Sequence, residues 1–370
     1  MQIKKHLLIT VIGACAALQG CTQTGDAGLK EKIAQMLLVG FRDTTLTENS
    51  EIYHDIKELK VGGVILFDYD VPSKTPVRNI KSPAQVKKLV ADLQQIAPVK
   101  LLVSIDQEGG KVNRLKPVFG FPPSVSAKYL GAADNADTTA FYAAQTAGML
   151  AELGINLNFA PCVDVDVNPG NPIIGQKERS FSADPEKVAE HAGIWVAEQS
   201  KRHIISCPKH FPGHGSSMHD THAGSADITN TWSAAELIPY RRLLQSGAIS
   251  LIMTSHVFNA NLDAEYPATM SKKILTGLLR EELGFDGVII SDDLAMGAIA
   301  DLFPLETALE KAINAGVDIL CLSNNGSVYK PHMTEQVIDT IYALVKSGKI
   351  TPERIDESYR RIRQLKQDFL

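Results

Sequence analysis

A chain of 370 residues that is 44% hydrophobic and 21% charged can bury one large core. With 27 Gly, 18 Pro and no long charge run, it does not read as disordered, collagenous or coiled-coil. Its formal charge of −5 argues against a nucleic-acid surface, so no nucleic-acid partner is expected.

The first 21 residues, MQIKKHLLITVIGACAALQGC, carry Lys4 and Lys5, then an apolar run from Leu7 to Leu18, then small residues. That is the layout of a signal peptide. The apolar run is about a dozen residues, short of the roughly 20 that span a bilayer. Leu18-Gln19-Gly20-Cys21 resembles the lipobox of bacterial lipoproteins, in which the cysteine is lipidated, and Thr22 favours an outer-membrane address. The expectation is a lipoprotein signal and lipobox over 1–21. A monomeric, extracytoplasmic body over 22–370 would then meet the membrane only through its N-terminal lipid. Ordinary secretion with cleavage elsewhere is the alternative. Cys162, Cys207 and Cys321 each lie inside an apolar run without paired spacing, and read as buried small hydrophobes.

LLVGF (37–41) follows a helix-like segment at 29–36 and reads as a buried strand. Seven further apolar runs follow: 61–67, 100–106, 155–165, 203–211, 249–257, 287–293 and 316–325. Helix-length amphipathic segments separate most of them, among them 185–202, 233–245, 271–283 and 305–315. Buried strands alternating with helices imply an α/β fold with a parallel sheet, and eight strands make a (β/α)8, TIM-like barrel of a single domain. An open doubly wound sheet is second, because no glycine-rich nucleotide fingerprint follows an early strand. Residues 349–370 read as a terminal helix with Thr351 as N-cap and Pro352 at its first position.

Polar residues cluster where these runs end. Asp106, Asp164, Lys209 with His210, His256 and Asp292 close five of them. In a barrel this is the C-terminal face, where active sites are built.

The stretch KHFPGHGSSMHDTH (209–222) holds four of the ten histidines. His210, His214, His219 and His222, with Asp220, His256 and Asp292, offer metal-ligand chemistry. The HxH and HExxH spacings that hold a metal on a rigid element are absent, so no metal or other cofactor is expected. Asp220 and His222, two apart in a glycine-flanked loop, suit proton transfer, the carboxylate accepting from one imidazole nitrogen while the other faces substrate. A serine triad is not indicated, since no GxSxG elbow is present. His214 reads as a loop organiser, and Asp293 as a helix N-cap. Read locally, Arg179 has Glu178 and Asp184 as ion-pair partners.

KHFPGHG (209–215) and DTH (220–222), with SIDQEGGKVNRL (104–115), ERSF (178–181), TSHV (254–257), PATMS (267–271) and SDDLAM (291–296), resemble glycoside hydrolase family 3. The likeness is closest to its single-domain β-N-acetylglucosaminidases (β-hexosaminidases), and it runs from about residue 30 to the C-terminus. The resemblance implies a retaining double displacement. Asp292 is then the nucleophile, and His222, polarised by Asp220, the acid/base. Asp106, Arg179, Lys209 and His210 bind the sugar, and His256 and Met296 line the same pocket, His256 supporting it from behind and Met296 as an apolar wall.

The implied reaction is exo-hydrolysis of terminal GlcNAc from chitin- or peptidoglycan-derived saccharides. Beyond DTH the chain reads AGSADITNTW, where cytosolic recycling members of the family continue toward a proline, so the recycling role is not carried over. A β-glucosidase, a β-N-acetylglucosaminide phosphorylase and, from another class, a sugar-binding lipoprotein without catalysis are the alternatives.

Overall fold

The computed structural model describes residues 26–221 and 224–370. The signal and lipobox residues, Cys21 among them, and His222 lie outside the described residues. Eight short strands are present among those described: β1 (Leu37–Gly40), β2 (Gly63–Leu66), β3 (Leu102–Ile105), β4 (Leu157–Asn158), β5 (Ile205–Ser206), β6 (Leu251–Met253), β7 (Val288–Ile290) and β8 (Leu320–Leu322). Each falls inside one of the apolar runs read from sequence. Nearly every strand residue is buried, as in sheets covered on both faces, which is why the runs are continuous rather than alternating.

All pairings are parallel. β8, β1, β2, β3, β4 and β5 form one ladder, and β6 and β7 a second. Parallel bridges join the two at Phe211 with Thr254 and at Ile290 with Ile319. Phe211 N–H donates to Met253 O (2.9 Å), Ser255 N–H to Phe211 O (2.7 Å) and Ser291 N–H to Ile319 O (2.9 Å), so backbone bonds run around the ring from β1 back to β8. The fold is a TIM-like α/β barrel, and one apolar cluster extends from Ile33 to Leu365. Cys162, Cys207 and Cys321 are buried free thiols.

Two helices differ from the sequence reading. The segment 233–245 divides into a 3₁₀ turn, Ala234–Leu237, and an α-helix, Ile238–Gln245, with Pro239 in its first turn, where its missing N–H costs nothing. The segment 271–283 winds as a π-helix over Lys273–Glu282. The terminal helix Pro352–Phe369 starts as expected, with the Thr351 side chain accepting from Arg354 N–H at 3.2 Å. It is riveted below the barrel by Asp318, a fully buried carboxylate that accepts from Arg280 (2.7 Å), Arg354 (2.9 Å), Ser358 (2.8 Å) and Ile289 N–H (3.0 Å). Among the described residues no helix is long and apolar enough to cross a membrane.

The same helix carries a liability. Lys366 is buried, donates to Gln35 Oε1 at 2.9 Å, and has its pKa pulled down to about 7 by burial. In the unfolded chain the amine keeps its proton up to about 10.4. Between those values the unfolded state binds more protons, so this group makes stability rise with pH. Lys366→Met is expected to raise Tm by about 2–4 °C near neutrality. It should also flatten the rise with pH, which thermal melts between about pH 6 and 9 will show.

Candidate active site

A cleft of about 340 Å³ opens at the C-terminal ends of the strands. Asp106 reaches it from β3, Lys209 and His210 from the segment after β5, and Asp292 from the end of β7, with Arg179, His214, Thr221 and Met296 completing the wall. The structure therefore brings together Asp106, Arg179, Lys209, His210, Met296 and Asp292 as the sequence suggested. His256 supports the cleft from behind, as expected, but does not line it. It is 1% exposed and stands behind the wall, because Thr269 Oγ1 (2.8 Å) and the Asp293 carbonyl (3.0 Å) engage its two ring nitrogens. The Asp293 carbonyl only accepts, so His256 Nε2 donates to it and braces the turn after Asp292.

One side of the cleft is an alternating web of charge. Lys209 Nζ lies 2.7 Å from Asp106 Oδ1 and 2.6 Å from Glu108 Oε1. Glu108 in turn takes Arg179 as a two-pronged partner, Nη2 to Oε1 at 2.7 Å and Nε to Oε2 at 2.9 Å. Burial raises the Glu108 and Asp106 carboxyls, but Arg179 and Lys209 beside the first, and Lys209 and Arg114 beside the second, hold both below the usual range. Burial likewise pulls Lys209 down, and its two carboxylates more than reverse this.

Arg179 Nη2 also lies 3.1 Å from His210 Nε2, and His210 Nδ1 lies 2.6 Å from Asp164 Oδ2. A guanidinium only donates, so Nε2 accepts, and the ring proton sits on Nδ1 pointing at Asp164. Asp164 is fully buried; burial raises it, but His210 and the donors around it keep it lowered and ionised.

Glu108 and Asp164 are the residues that sequence reasoning undervalued. Asp164 was visible as a strand-end acid, and Glu108 sits two residues beyond Asp106 in the SIDQEGG motif. Arg179 pairs with neither of its near neighbours in sequence. Glu178 turns to Lys111 (3.0 Å), and Asp184 caps the helix Pro185–Ser200 by accepting from Glu186 N–H (3.0 Å).

On the opposite side Asp292 Oδ1 accepts from Asp293 N–H at 2.8 Å. Asp293 is not a helix N-cap. Its Oδ1 takes Ala295 N–H (3.1 Å) and Ser323 N–H (3.0 Å), and its Oδ2 the Ser323 hydroxyl, so it ties the β7 turn to the end of β8. The following helix, Gly297–Ala300, begins after Met296 instead.

The His-rich loop passes beside this turn. Thr221, central in Asp-Thr-His, accepts from Ala298 N–H through its carbonyl (3.0 Å), and its hydroxyl lies 3.3 Å from His214 Nε2. Burial lowers the His214 pKa to about 4, so its ring is neutral, consistent with an organising part. Asp220 is half-buried, while His219 is exposed in a turn closed by Ser217. The acid/base assignment of His222 lies outside the described residues.

Among the described residues one cluster, Cys162, Asp164 and His210, brings metal-ligand atoms within 4.8 Å of one another. These atoms are already paired. Cys162 Sγ donates to Asp164 Oδ2 (3.2 Å), the same oxygen that holds His210, and the Arg179 cation stands on the far side of the ring.

The family model described as "Glycosyl hydrolase family 3 N terminal domain" matches residues 28–365. A beta-hexosaminidase of Nitrosomonas eutropha is 32% identical over 341 residues, covering 89% of this chain and 91% of that protein. Another from Tolumonas auensis is 38% identical over 276 residues, covering 72% and 76%. Beta-hexosaminidase A of Pseudoalteromonas piscicida is 32% identical over 85% of this chain, which spans only 55% of that longer protein.

Among solved structures, a glycoside hydrolase family 3 beta-N-acetylglucosaminidase from Paenibacillus superposes with a TM-score of 0.83 at 36% identity, covering 92% of this chain and 62% of that one. A beta-N-acetylhexosaminidase from Beutenbergia cavernae gives 0.78 at 29% identity over 92% and 98%. With its family model spanning nearly the whole described chain, and the motif residues gathered on one barrel face, this chain belongs to glycoside hydrolase family 3.

Proposed function

We propose that the chain is a retaining exo-β-N-acetylglucosaminidase that removes terminal GlcNAc from chitin- or peptidoglycan-derived saccharides. The observation that carries this reading is the cleft itself. Asp292 lines it together with Asp106, Arg179 and His210, and so does Thr221, next in sequence to Asp220. In the reaction Asp292 attacks the anomeric carbon while His222 protonates the departing glycosidic oxygen, Asp220 holding the other ring nitrogen. Water, deprotonated by His222, then displaces Asp292, and two inversions give retention. His222 gives its proton as the imidazolium and is left a neutral imidazole, so this acid/base group never places a carboxylate's negative charge beside Asp292.

Sugar hydroxyls meet Asp106 first. It has 17% of its side chain exposed, against 5% for Glu108 and 2% for Lys209, so the latter two fix Asp106 and Arg179 rather than lead the contact. The β-hexosaminidase relatives support an acetamido sugar over glucose. The lipobox-like LQGC supports an enzyme tethered outside the cytoplasm through Cys21. Fatty-acid labelling that disappears in Cys21→Ala is the expected sign of that anchor.

The functional test compares aryl β-N-acetylglucosaminide with aryl β-glucoside as substrates for residues 22–370, with and without phosphate and chelator. Release of GlcNAc unaffected by either addition is expected. A sugar 1-phosphate product, or preference for the glucoside, would replace this reading with the phosphorylase or the glucosidase.

A further inference from the structure

Glu236 lies in the 3₁₀ turn Ala234–Leu237, outside the cleft, and is 1% exposed. Its Oε2 accepts from Gly215 N–H (3.0 Å) and Ser216 N–H (3.4 Å). Its Oε1 is buried without a hydrogen bond of regular geometry, the Ser216 hydroxyl being the side-chain donor that bears on the carboxyl, and no lysine or arginine pairs with it among the described residues. A buried carboxylate without a cation is costly, and a fold needing only an acceptor here would be served by a neutral one. Burial, with the charge of Asp164 adding to it and the Ser216 and Gly215 donors opposing, raises its pKa to about 7. The Tyr240 phenol on the helix that follows is itself raised by burial, with the charges of Asp164 and Glu236 adding to it.

The contact is also tight. Gly213, at φ 123°, approaches so closely that a Cβ there would stand 2.7 Å from the Glu236 Cβ, and a Cβ at Gly215 would stand 1.7 Å from the Val165 carbonyl oxygen. Residues 213–216 are thus pressed between the segment after β4 and Glu236. On the first side Asp164 accepts from His214 N–H (2.7 Å), and Asn171 donates to His214 O (2.7 Å). On the second side the Glu236 carboxylate holds Gly215 and Ser216. From there the chain reaches Asp220 in four residues.

We infer that Glu236 is a positioning residue for the acid/base segment, fixing Gly215 and Ser216 so that Asp220 and His222 are delivered to the scissile oxygen. The inference rests on reading Asp220 and His222 as the acid/base pair. Glu236 touches no substrate and acts only through the loop. Its loss costs the step that needs a well-placed proton and spares the step that does not.

The test is kcat/KM over aryl β-N-acetylglucosaminides whose leaving groups run from dinitrophenol, which departs without protonation, to phenol, which requires it. Wild type, Glu236→Leu, Glu236→Gln and His222→Ala are compared. Glu236→Leu, which removes the acceptor at similar volume, is expected to stay within about threefold of wild type on the dinitrophenyl substrate and to lose about 10–10²-fold on the phenyl substrate, part of what general acid catalysis supplies. Glu236→Gln keeps an acceptor oxygen and should restore part of the loss, giving the same trend at smaller amplitude if the Leu variant does not fold. A loss equal across the series in both Glu236 variants, with His222→Ala still dependent on the leaving group, would overturn the inference and leave the function standing. No such dependence in His222→Ala would overturn the acid/base reading itself.

Discussion

Asp292→Ala is expected to lower kcat by roughly 10⁴-fold, about 5.4 kcal/mol of barrier, with the fold intact. The loss is that large because the carboxylate forms the bond to the anomeric carbon, and no neighbour on the β7 turn can replace it. Asp293, the adjacent acid, is committed to Ala295, Ser323 and the Ser323 hydroxyl. Added azide should recover part of the rate, entering the vacated side and yielding the α-glycosyl azide from a β-glycoside. Asp293→Ala should behave in the opposite sense, lowering Tm through the loss of three hydrogen bonds while azide does nothing. If the two variants exchanged these behaviours, the nucleophile would be Asp293.

Asp164→Asn is expected to cost about 10²-fold in kcat/KM, the scale of a small misplacement of catalytic groups. It should also cost about 1–3 kcal/mol of stability, although Asp164 lies at the back of the site. Its Oδ1 accepts from His214 N–H (2.7 Å) and His210 N–H (3.3 Å), and its Oδ2 from the His210 ring (2.6 Å) and the Cys162 thiol (3.2 Å). An amide has one acceptor oxygen for these donors and turns its NH₂ toward the others. If His210 responds by accepting at Nδ1, its proton moves to Nε2 and faces the Arg179 guanidinium, which only donates. Either outcome displaces Arg179 or the start of the His-rich loop. Steady-state kinetics with urea melts will read both effects, and a variant with normal kcat/KM would show that the web is not needed to place the sugar.

The barrel was legible because parallel strands covered on both faces must be apolar along their whole length, so LLVGF, VGGVILF and GVIIS announce themselves. The site face was legible for a related reason, since Asp106, Lys209, His210 and Asp292 interrupt the apolar runs where each strand ends. What pattern could not supply was the partner of each charge. Arg179 has acids one and five positions away but pairs with Glu108, 71 positions distant, because Glu178 sits at φ 59° and turns to Lys111. His256 ends a strand like the others, yet Thr269 and the Asp293 carbonyl draw its ring behind the wall. Glu236 carried no charge signal, its hydrogen bonds of regular geometry coming from two backbone N–H groups that any sequence possesses.

The most direct measurement of the central claim is the configuration of the first sugar released. Proton NMR during early hydrolysis of an aryl β-N-acetylglucosaminide should show β-GlcNAc appearing first and the α anomer only later by mutarotation. Initial release of α-GlcNAc would mean a single inversion by water, and would contradict a covalent intermediate on Asp292.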